Sequence, residues 1–82
     1  MFYVYVLKSL RNQKRYVGST GHLPMERLKQ HNSGSNVWTR QNKPFELIYS
    51  ERHSTKTLAA ERERFLKSGV GRKFLDQLVE GA

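Results

Sequence analysis

Near its start the chain reads Phe2-Tyr3-Val4-Tyr5-Val6-Leu7, an unbroken run of aromatic and aliphatic residues. Such a run predicts a β-strand that is covered on both faces. The polar residues 9–13 predict a turn, and Lys14-Arg15-Tyr16-Val17-Gly18 predicts a short second strand. The two strands make a hairpin, around which the rest of the fold is assembled.

Helical and extended patterns alternate after the hairpin. Residues 23–32 predict a helix, because Pro24 suits a first helical turn and Gly34 suits a C-terminal cap. Residues 33–43, which are polar apart from Val37 and Trp38, predict a loop, and residues 45–49 predict a third strand.

A further helix is predicted over residues 56–67, with Ser54 or Thr55 as its N-terminal cap. Gly69 and Gly71 are expected to end it.

Residues 72–79 predict a last helix, so the order of elements is ββαβαα. The expected class is α+β, with a small three-stranded antiparallel sheet flanked by helices. The 82 residues suit a single domain over 1–82. A domain of this size has a modest core, since it buries only about 60–65% of its unfolded surface.

The chain is strongly basic. Its 15 Lys and Arg residues against 7 Asp and Glu residues give a net charge of +8. Residues 1–45 carry +7 of this charge, because they hold eight basic residues and one acid, Glu26. A one-sided basic field attracts a polyanion, and nucleic acid is the expected one. The alternative is a basic surface that serves solubility alone.

Several classes are excluded by composition. Without cysteine there is no disulfide framework, thiolate zinc site or cysteine nucleophile. No apolar run approaches the roughly 18 residues of a membrane-spanning helix, and the apolar start lacks the basic lead of a signal segment. We therefore expect a cytoplasmic protein that needs no membrane and no obligate protein partner.

Short motifs carry a family resemblance. Tyr3-Val4-Tyr5 and Tyr16-Val17-Gly18 resemble the two halves of the GIY-YIG signature. Further matches follow over nearly the whole chain: Ser19-Thr20, Arg27-Leu28, His31-Asn32, Gly34, Thr39, Pro44, Leu47-Ile48-Tyr49 and the run 59–67. The chain is similar to the small single-domain members of the GIY-YIG nuclease family, which implies a compact three-stranded fold.

The resemblance implies five catalytic residues. They are the motif tyrosines Tyr5 and Tyr16, the helix arginine Arg27, the histidine His31 one turn later, and Glu63, which holds the metal. One divalent ion, Mg²⁺ or Mn²⁺, and hydrolysis of DNA phosphodiesters are implied with them. We expect the five side chains to line one open concave surface.

The hairpin allows the two tyrosines to meet. If the numbers of opposed residues sum to 21 or 23, Tyr5 and Tyr16 share a face of the sheet, whereas an even sum separates them. The alternative is that both are core aromatics.

Arg27 and His31 are spaced i, i+4 and lie on one helix face. Arginine suits two-pronged phosphate contact, and histidine can transfer protons near neutral pH. The alternative for His31 is a solvated helix face.

Glu63 lies at the edge of an apolar stripe, near whose middle Arg62 falls. A carboxylate beside an apolar face is costly unless it is paired or bound to metal. One carboxylate suffices for Mg²⁺, which keeps several waters. The alternative is a salt bridge, for example to Arg27.

Six other residues are expected to contact nucleic acid: Lys8, Arg15, Lys29, Trp38, Arg40 and Lys43. Trp38 can stack on bases or cap the core.

These observations predict a metal-dependent endonuclease that acts on single-stranded or branched DNA. Tyr5, assisted by Tyr16, would take the proton of the attacking water. Its pKa, ordinarily near 10, would have to be lowered by nearby cations, which would give an alkaline optimum. Two alternatives stay open: a non-catalytic DNA- or RNA-binding module on the same fold, and a scaffold that binds an acidic partner.

Overall fold

The computed structural model describes residues 1–34 and 36–79. In chain order the elements are β1 Phe2–Ser9, β2 Arg15–Thr20, α1 Pro24–Asn32, α2 Val37–Asn42, β3 Phe45–His53, α3 Lys56–Lys67 and α4 Gly69–Val79. The strands form one antiparallel sheet with helices packed on it, which confirms the predicted α+β class. Within these residues no helix has both the length and the hydropathy needed to cross a membrane.

The central strand is β1, in the order β2-β1-β3. Its residues 4–7 are all buried, as the apolar run predicts. In the hairpin Tyr3 lies opposite Thr20 and Leu7 lies opposite Tyr16, so opposed positions sum to 23. This is one of the two registers that place Tyr5 and Tyr16 on the same face. The outer side of β2 is an edge of the sheet.

The two faces of the sheet carry separate core clusters. The cluster under α3 and α4 consists of Val4, Val6, Val17, Ala59, Leu66 and Leu75. The cluster under α1 and α2 consists of Tyr5, Leu7 and Phe45, with Tyr16, Leu28, Trp38 and Leu47 packed against it. We call these sides the Val4 face and the Tyr5 face. Side chains alternate along a strand, so β1 contributes to both faces.

The helix ends agree with the local chemistry of the chain. Pro24 is the first residue of α1, and Gly34 follows its C-terminus with a φ of +83°, a conformation that suits glycine. Thr55 caps α3 by accepting a hydrogen bond from the amide of Leu58.

The predicted polar loop over residues 33–43 is wrong for Val37–Asn42, which form the short helix α2; residue 35 lies outside the described residues. Asn36 and Thr39 make a reciprocal capping box at its start, which satisfies backbone groups that a helix end otherwise leaves open. Trp38 and Thr39 give the helix its inward side. Two adjacent apolar residues are too short a pattern to predict a helix.

The last two helices also meet at a different point from the one predicted. α3 ends at Lys67, Ser68 follows, and α4 already begins at Gly69. Gly71 therefore lies inside a helix. A Cβ atom at this position would lie 2.0 Å from the carbonyl oxygen of Phe65, so the glycine permits close packing of α4 on the end of α3.

The third strand extends to His53, beyond the predicted end at residue 49. Arg62 of α3 holds this extension, since its Nε atom donates to both oxygens of Glu51 at 3.0 and 3.1 Å. Its guanidinium also lies over the rings of Phe65 and Phe74, 4.8 and 4.9 Å from their centroids. These contacts explain an arginine in the middle of an apolar stripe.

Candidate active site

Tyr5 and Tyr16 lie together on the Tyr5 face. Their ring centroids are 6.2 Å apart. Tyr5 is 1% exposed, and Tyr16 is half-buried. Tyr5 is a member of the core cluster and Tyr16 packs against it. The alternative that both are core aromatics is therefore correct for their rings. The hydroxyl of Tyr5 has polar partners in addition.

Helix α1 supplies those partners. His31 Nε2 lies 3.0 Å from the Tyr5 hydroxyl oxygen, and Arg27 Nε donates to the same oxygen at 3.4 Å. One helical turn separates the two residues, as their i, i+4 spacing requires. His31 is fully buried, so the alternative of a solvated helix face is wrong. Gln30 accepts a hydrogen bond from the other end of the Arg27 guanidinium.

Gly18 makes room for the Tyr5 hydroxyl. It lies opposite Tyr5 in the hairpin, and a Cβ atom there would lie 2.6 Å from the Tyr5 hydroxyl oxygen and 3.0 Å from Cε1 of Tyr16. Any side chain would displace one of the rings. The Tyr5 hydroxyl is thereby seated over the edge strand β2.

Burial governs the ionisation of Tyr5 and His31. It raises the pKa of Tyr5, and the hydrogen bond from Arg27 offsets this only in part. Arg27 does lower the pKa of this tyrosine, but desolvation of the phenolate outweighs it, so these side chains do not give the net lowering that the predicted mechanism requires. Burial, together with the charge of Arg27, lowers the pKa of His31. Its imidazole is neutral at neutral pH.

The neutral imidazole can accept a proton from Tyr5. Arg27 donates to the phenol oxygen, so the phenol's own proton is free to point at His31 Nε2. Nδ1 of His31 is buried and has no hydrogen-bond partner in the part of the chain that the structure describes. The arrangement links a proton acceptor, a hydroxyl and a fixed cation in one contact.

Trp38 extends the aromatic floor of the site. Its ring lies 5.5 Å from the ring of Tyr16 and 5.5 Å from that of Phe45. His31 also contacts Tyr16, with 4.7 Å between ring centroids. Trp38 thus caps the core and remains partly exposed.

Glu63 is not grouped with the other four residues. It lies on α3, which packs on the Val4 face. One carboxylate oxygen accepts from the Ser19 hydroxyl at 2.6 Å, and the other is paired with Lys67 Nζ at 2.7 Å. The five side chains therefore do not line one open surface: Tyr5, Tyr16, Arg27 and His31 form one contact cluster, in which Tyr5 and His31 are buried. Glu63 does form a salt bridge, as the alternative expected, but its partner is Lys67 and not Arg27.

Glu63 and Tyr5 nevertheless approach the same edge of the sheet. The Tyr5 hydroxyl lies over Gly18, and the next residue, Ser19, holds Glu63. The hydroxyl and the carboxylate reach consecutive residues of β2 from opposite faces. Hydrogen bonds from Lys67 and Ser19 overcome the effect of burial and lower the pKa of Glu63, so its carboxylate is charged.

The donor set suits a magnesium ion that keeps most of its waters. Among the described residues no three of His, Cys, Asp and Glu come together as a ligand group. A single carboxylate, completed by waters and substrate oxygens, is a sufficient anchor for Mg²⁺. Lys67 now neutralises that carboxylate, but its side chain is 54% exposed and can swing away. The residues therefore fit a single exchangeable ion.

The predicted nucleic-acid contacts are scattered over both faces. Lys29, Arg40 and Lys43 are exposed on the side of α1 and α2, whereas Lys8 is half-buried in the sheet. Arg15 pairs with Asp76 of α4 at 2.6 Å.

Sequence motifs predicted no role for four supporting residues: Gly18, Ser19 and Lys67, which lie only within motif matches, and Gln30, which lies in none. The i, i+4 spacing of Glu63 and Lys67 was a readable signal for an ion pair. The contact between Ser19 and Glu63 joins residues 44 positions apart, and no local pattern predicts it.

Comparisons with known proteins agree with this architecture. The family model described as the GIY-YIG catalytic domain matches residues 1–74. A UPF0213 protein of Natronomonas pharaonis is 37% identical over 67 residues, covering 80% of this chain and 76% of that protein. A UPF0213 protein of Oceanobacillus iheyensis is 36% identical over 66 residues, covering 79% and 74%. A GIY-YIG catalytic domain implies nuclease-type function. The chain belongs to the GIY-YIG family.

Proposed function

We propose that the protein acts as a single domain that hydrolyses phosphodiester bonds in single-stranded or branched DNA, with one divalent metal ion. The observation that carries this proposal is the Tyr5 hydroxyl, which contacts His31 Nε2 at 3.0 Å and Arg27 Nε at 3.4 Å. Membership of a nuclease family and the basic charge of the chain support it.

Tyr5 and His31 form a two-step proton relay in this mechanism. Tyr5 passes its proton to His31 Nε2 while its oxygen takes a proton from the attacking water. The water oxygen forms the new bond to phosphorus, and the bond from phosphorus to the leaving oxygen breaks. A buried tyrosine with a raised pKa is a poor anion but an effective relay, because it need never hold a full negative charge. His31 must be neutral to accept the proton.

Arg27, Tyr16 and Glu63 have supporting roles. Arg27 offers its guanidinium to the phosphate as negative charge develops. Tyr16 packs against Tyr5 and His31 and holds both rings in place. Glu63 and the hydroxyl of Ser19 would hold the metal ion, which supplies positive charge to the phosphate and the leaving oxygen. The leaving oxygen takes its proton from water.

The second candidate is a DNA- or RNA-binding module without turnover. Two observations favour it: Lys67 already neutralises Glu63, and burial raises the pKa of Tyr5. Neither feature would matter to a protein that only binds.

A cleavage assay separates the two candidates. Labelled single-stranded, forked and blunt duplex DNA are incubated with the protein, with and without Mg²⁺. The enzyme should cut the first two in a metal-dependent manner, and Tyr5→Phe should slow cutting by about 10²–10⁴-fold. Tyr3→Phe is the matched control on the same strand and face. Absence of metal-dependent cutting of any DNA, with binding intact, would favour the binding module.

A further inference from the structure

A groove of about 510 Å³ crosses the free edge of β2 next to the candidate site. Six of its lining residues bear on what it can hold: Lys14, Arg15, Lys67, Arg72, Tyr16 and Trp38. Four are cations and two are aromatic. Tyr16 also belongs to the candidate site, so the groove and the site adjoin.

The cations of the groove are only partly neutralised within the described residues. Arg15 pairs with Asp76, and Lys67 pairs with Glu63. Nη1 of Arg15 is buried, and no partner for it lies in residues 1–34 or 36–79. Lys14 and Arg72 are exposed. A groove with four cations against two carboxylates favours an anionic ligand, and a guanidinium fork favours a phosphate.

The aromatic side of the groove favours a nucleobase. Trp38 is packed on Tyr16 and Phe45 and still lines the groove with its remaining surface. A ring held rigidly by its neighbours is a stacking platform that any base can use. Phosphate-binding cations and a stacking platform in one groove match the two parts of a nucleotide.

The size of the groove is compatible with one nucleotide. Its volume lies in the range of about 300–1,000 Å³ that is usual for small-molecule pockets. A paired base inside a duplex has both faces covered by neighbouring bases and cannot stack on Trp38. An acidic peptide would satisfy the cations but leave the aromatic platform unused.

We infer that this groove holds one unpaired nucleotide of the DNA substrate, with its phosphate on Arg15 and Arg72 and its base on Trp38. The inference rests on the proposed function and adds a physical basis for preferring unpaired DNA. A DNA strand held in the groove runs past Tyr16 and reaches the candidate site.

Trp38 is the one tryptophan of the chain, so its fluorescence reports directly on the groove. The protein is titrated in EDTA with a single-stranded oligothymidylate, with a blunt duplex of equal length, and with poly-glutamate. The single strand should quench Trp38 emission at saturation, and the other two should leave it nearly unchanged. Equal quenching by the duplex or by poly-glutamate, or no quenching by the single strand, would overturn the inference.

Two neighbouring substitutions on α4 test the phosphate contact. Arg72→Gln removes a groove cation, whereas Lys73→Gln removes an exposed charge that does not line the groove. Arg72→Gln should weaken binding of the single strand and lower the slope of log affinity against log salt by about one. Lys73→Gln should keep the wild-type slope. Equal losses in both variants would mean that only the overall charge matters, and would overturn the inference.

The fluorescence result and the cleavage result can fail separately. If quenching depends on Arg72 but the protein cuts no DNA, the groove is a nucleotide-binding site and the nuclease proposal is wrong. If the protein cuts DNA in a metal-dependent manner but its fluorescence is not quenched, the nuclease proposal stands and the groove does not bind the nucleotide.

Discussion

The hydroxyl oxygen of Tyr5 lies 3.0 Å from Nε2 of His31, although 26 positions separate the two residues in the chain. Tyr5 comes from the central strand and His31 from α1, and both are buried. Burial raises the pKa of the phenol and lowers that of the imidazole. The fold therefore joins a protonated tyrosine to a neutral histidine, which is the pair that a proton relay requires.

The neutral state of His31 predicts how activity and stability depend on pH. Its pKa in the folded protein lies below the ordinary 6.5, so cleavage should stay high as the pH falls through that value and drop only below it. The unfolded chain binds the proton more tightly, so this group's contribution to the free energy of unfolding is full above about pH 6.5 and is lost as the pH falls through the folded pKa.

Urea unfolding of the wild type and of His31→Gln, at about pH 7.5 and about pH 5, isolates this contribution. The wild type should lose more stability on acidification than the variant. Equal losses, or an acid limb of the cleavage rate above the ordinary histidine pKa, would contradict a neutral buried His31.

Glu63 and Lys67 should affect metal binding in opposite directions. Glu63→Gln removes the charge that attracts the ion, whereas Lys67→Gln removes the cation that competes for it. Binding of Mn²⁺ without DNA, followed by electron paramagnetic resonance, should weaken in the first variant and strengthen in the second.

Cleavage by Glu63→Gln should fall by orders of magnitude, with unfolding free energy changed by less than about 1 kcal/mol, because the ion pair is partly exposed. Full cleavage by Glu63→Gln would end the metal role proposed for this residue. A large loss of stability without a change in Mn²⁺ affinity would instead assign Glu63 a structural role.

Gly18→Ala should disable the site without unfolding the protein. The added Cβ would meet the Tyr5 hydroxyl oxygen at 2.6 Å, so the ring must move away from His31. Such overpacking costs roughly 1–3 kcal/mol of stability, and cleavage should fall much further than stability does.

Gly69→Ala is the matched control, since a Cβ at Gly69 meets nothing within 4 Å. It should leave cleavage unchanged and leave stability unchanged or raised, because alanine favours a helix more than glycine does. Loss of cleavage in both variants would show that the effect is not specific to the Tyr5 seat.

Glu51→Gln should destabilise the fold and leave the catalytic chemistry intact. The carboxylate receives hydrogen bonds from Arg62, His53 and Tyr49. Although burial opposes its ionisation, these contacts keep its pKa below the ordinary value. The change leaves Arg62 without a charged partner and removes one of the two oxygens that accept its hydrogen bonds, which should cost about 1–3 kcal/mol.

Glu46→Gln, which alters an exposed glutamate of the same strand, should cost far less. Thermal unfolding of the two variants measures the difference. The pKa of Glu51 is lower in the folded than in the unfolded chain, so its charge stabilises the fold at a pH above the unfolded pKa. The difference in unfolding free energy between wild type and Glu51→Gln should therefore disappear as the pH falls through the folded pKa. A gap that persists in acid would show that packing, not charge, holds this cluster.

The sequence by itself determined which side chains share a face of a strand or a helix, because that depends only on the periodicity of the element. Side chains alternate along the hairpin strands, so any pairing in which the numbers of opposed residues add to an odd number, as the observed pairing does, places Tyr5 and Tyr16 on one face. The i, i+4 spacing places Arg27 and His31 on one side of their helix. The family resemblance then predicted roles for these residues.

Only the tertiary structure decided which groups meet across elements and how deeply they are buried. It placed α3 on the Val4 face, which separated Glu63 from the other four residues and gave it to Ser19 and Lys67. It also reversed the expected direction of the Tyr5 pKa. Desolvation depends on every atom packed around a group, and those atoms come from distant parts of the chain. Local sequence patterns carry no measure of that packing.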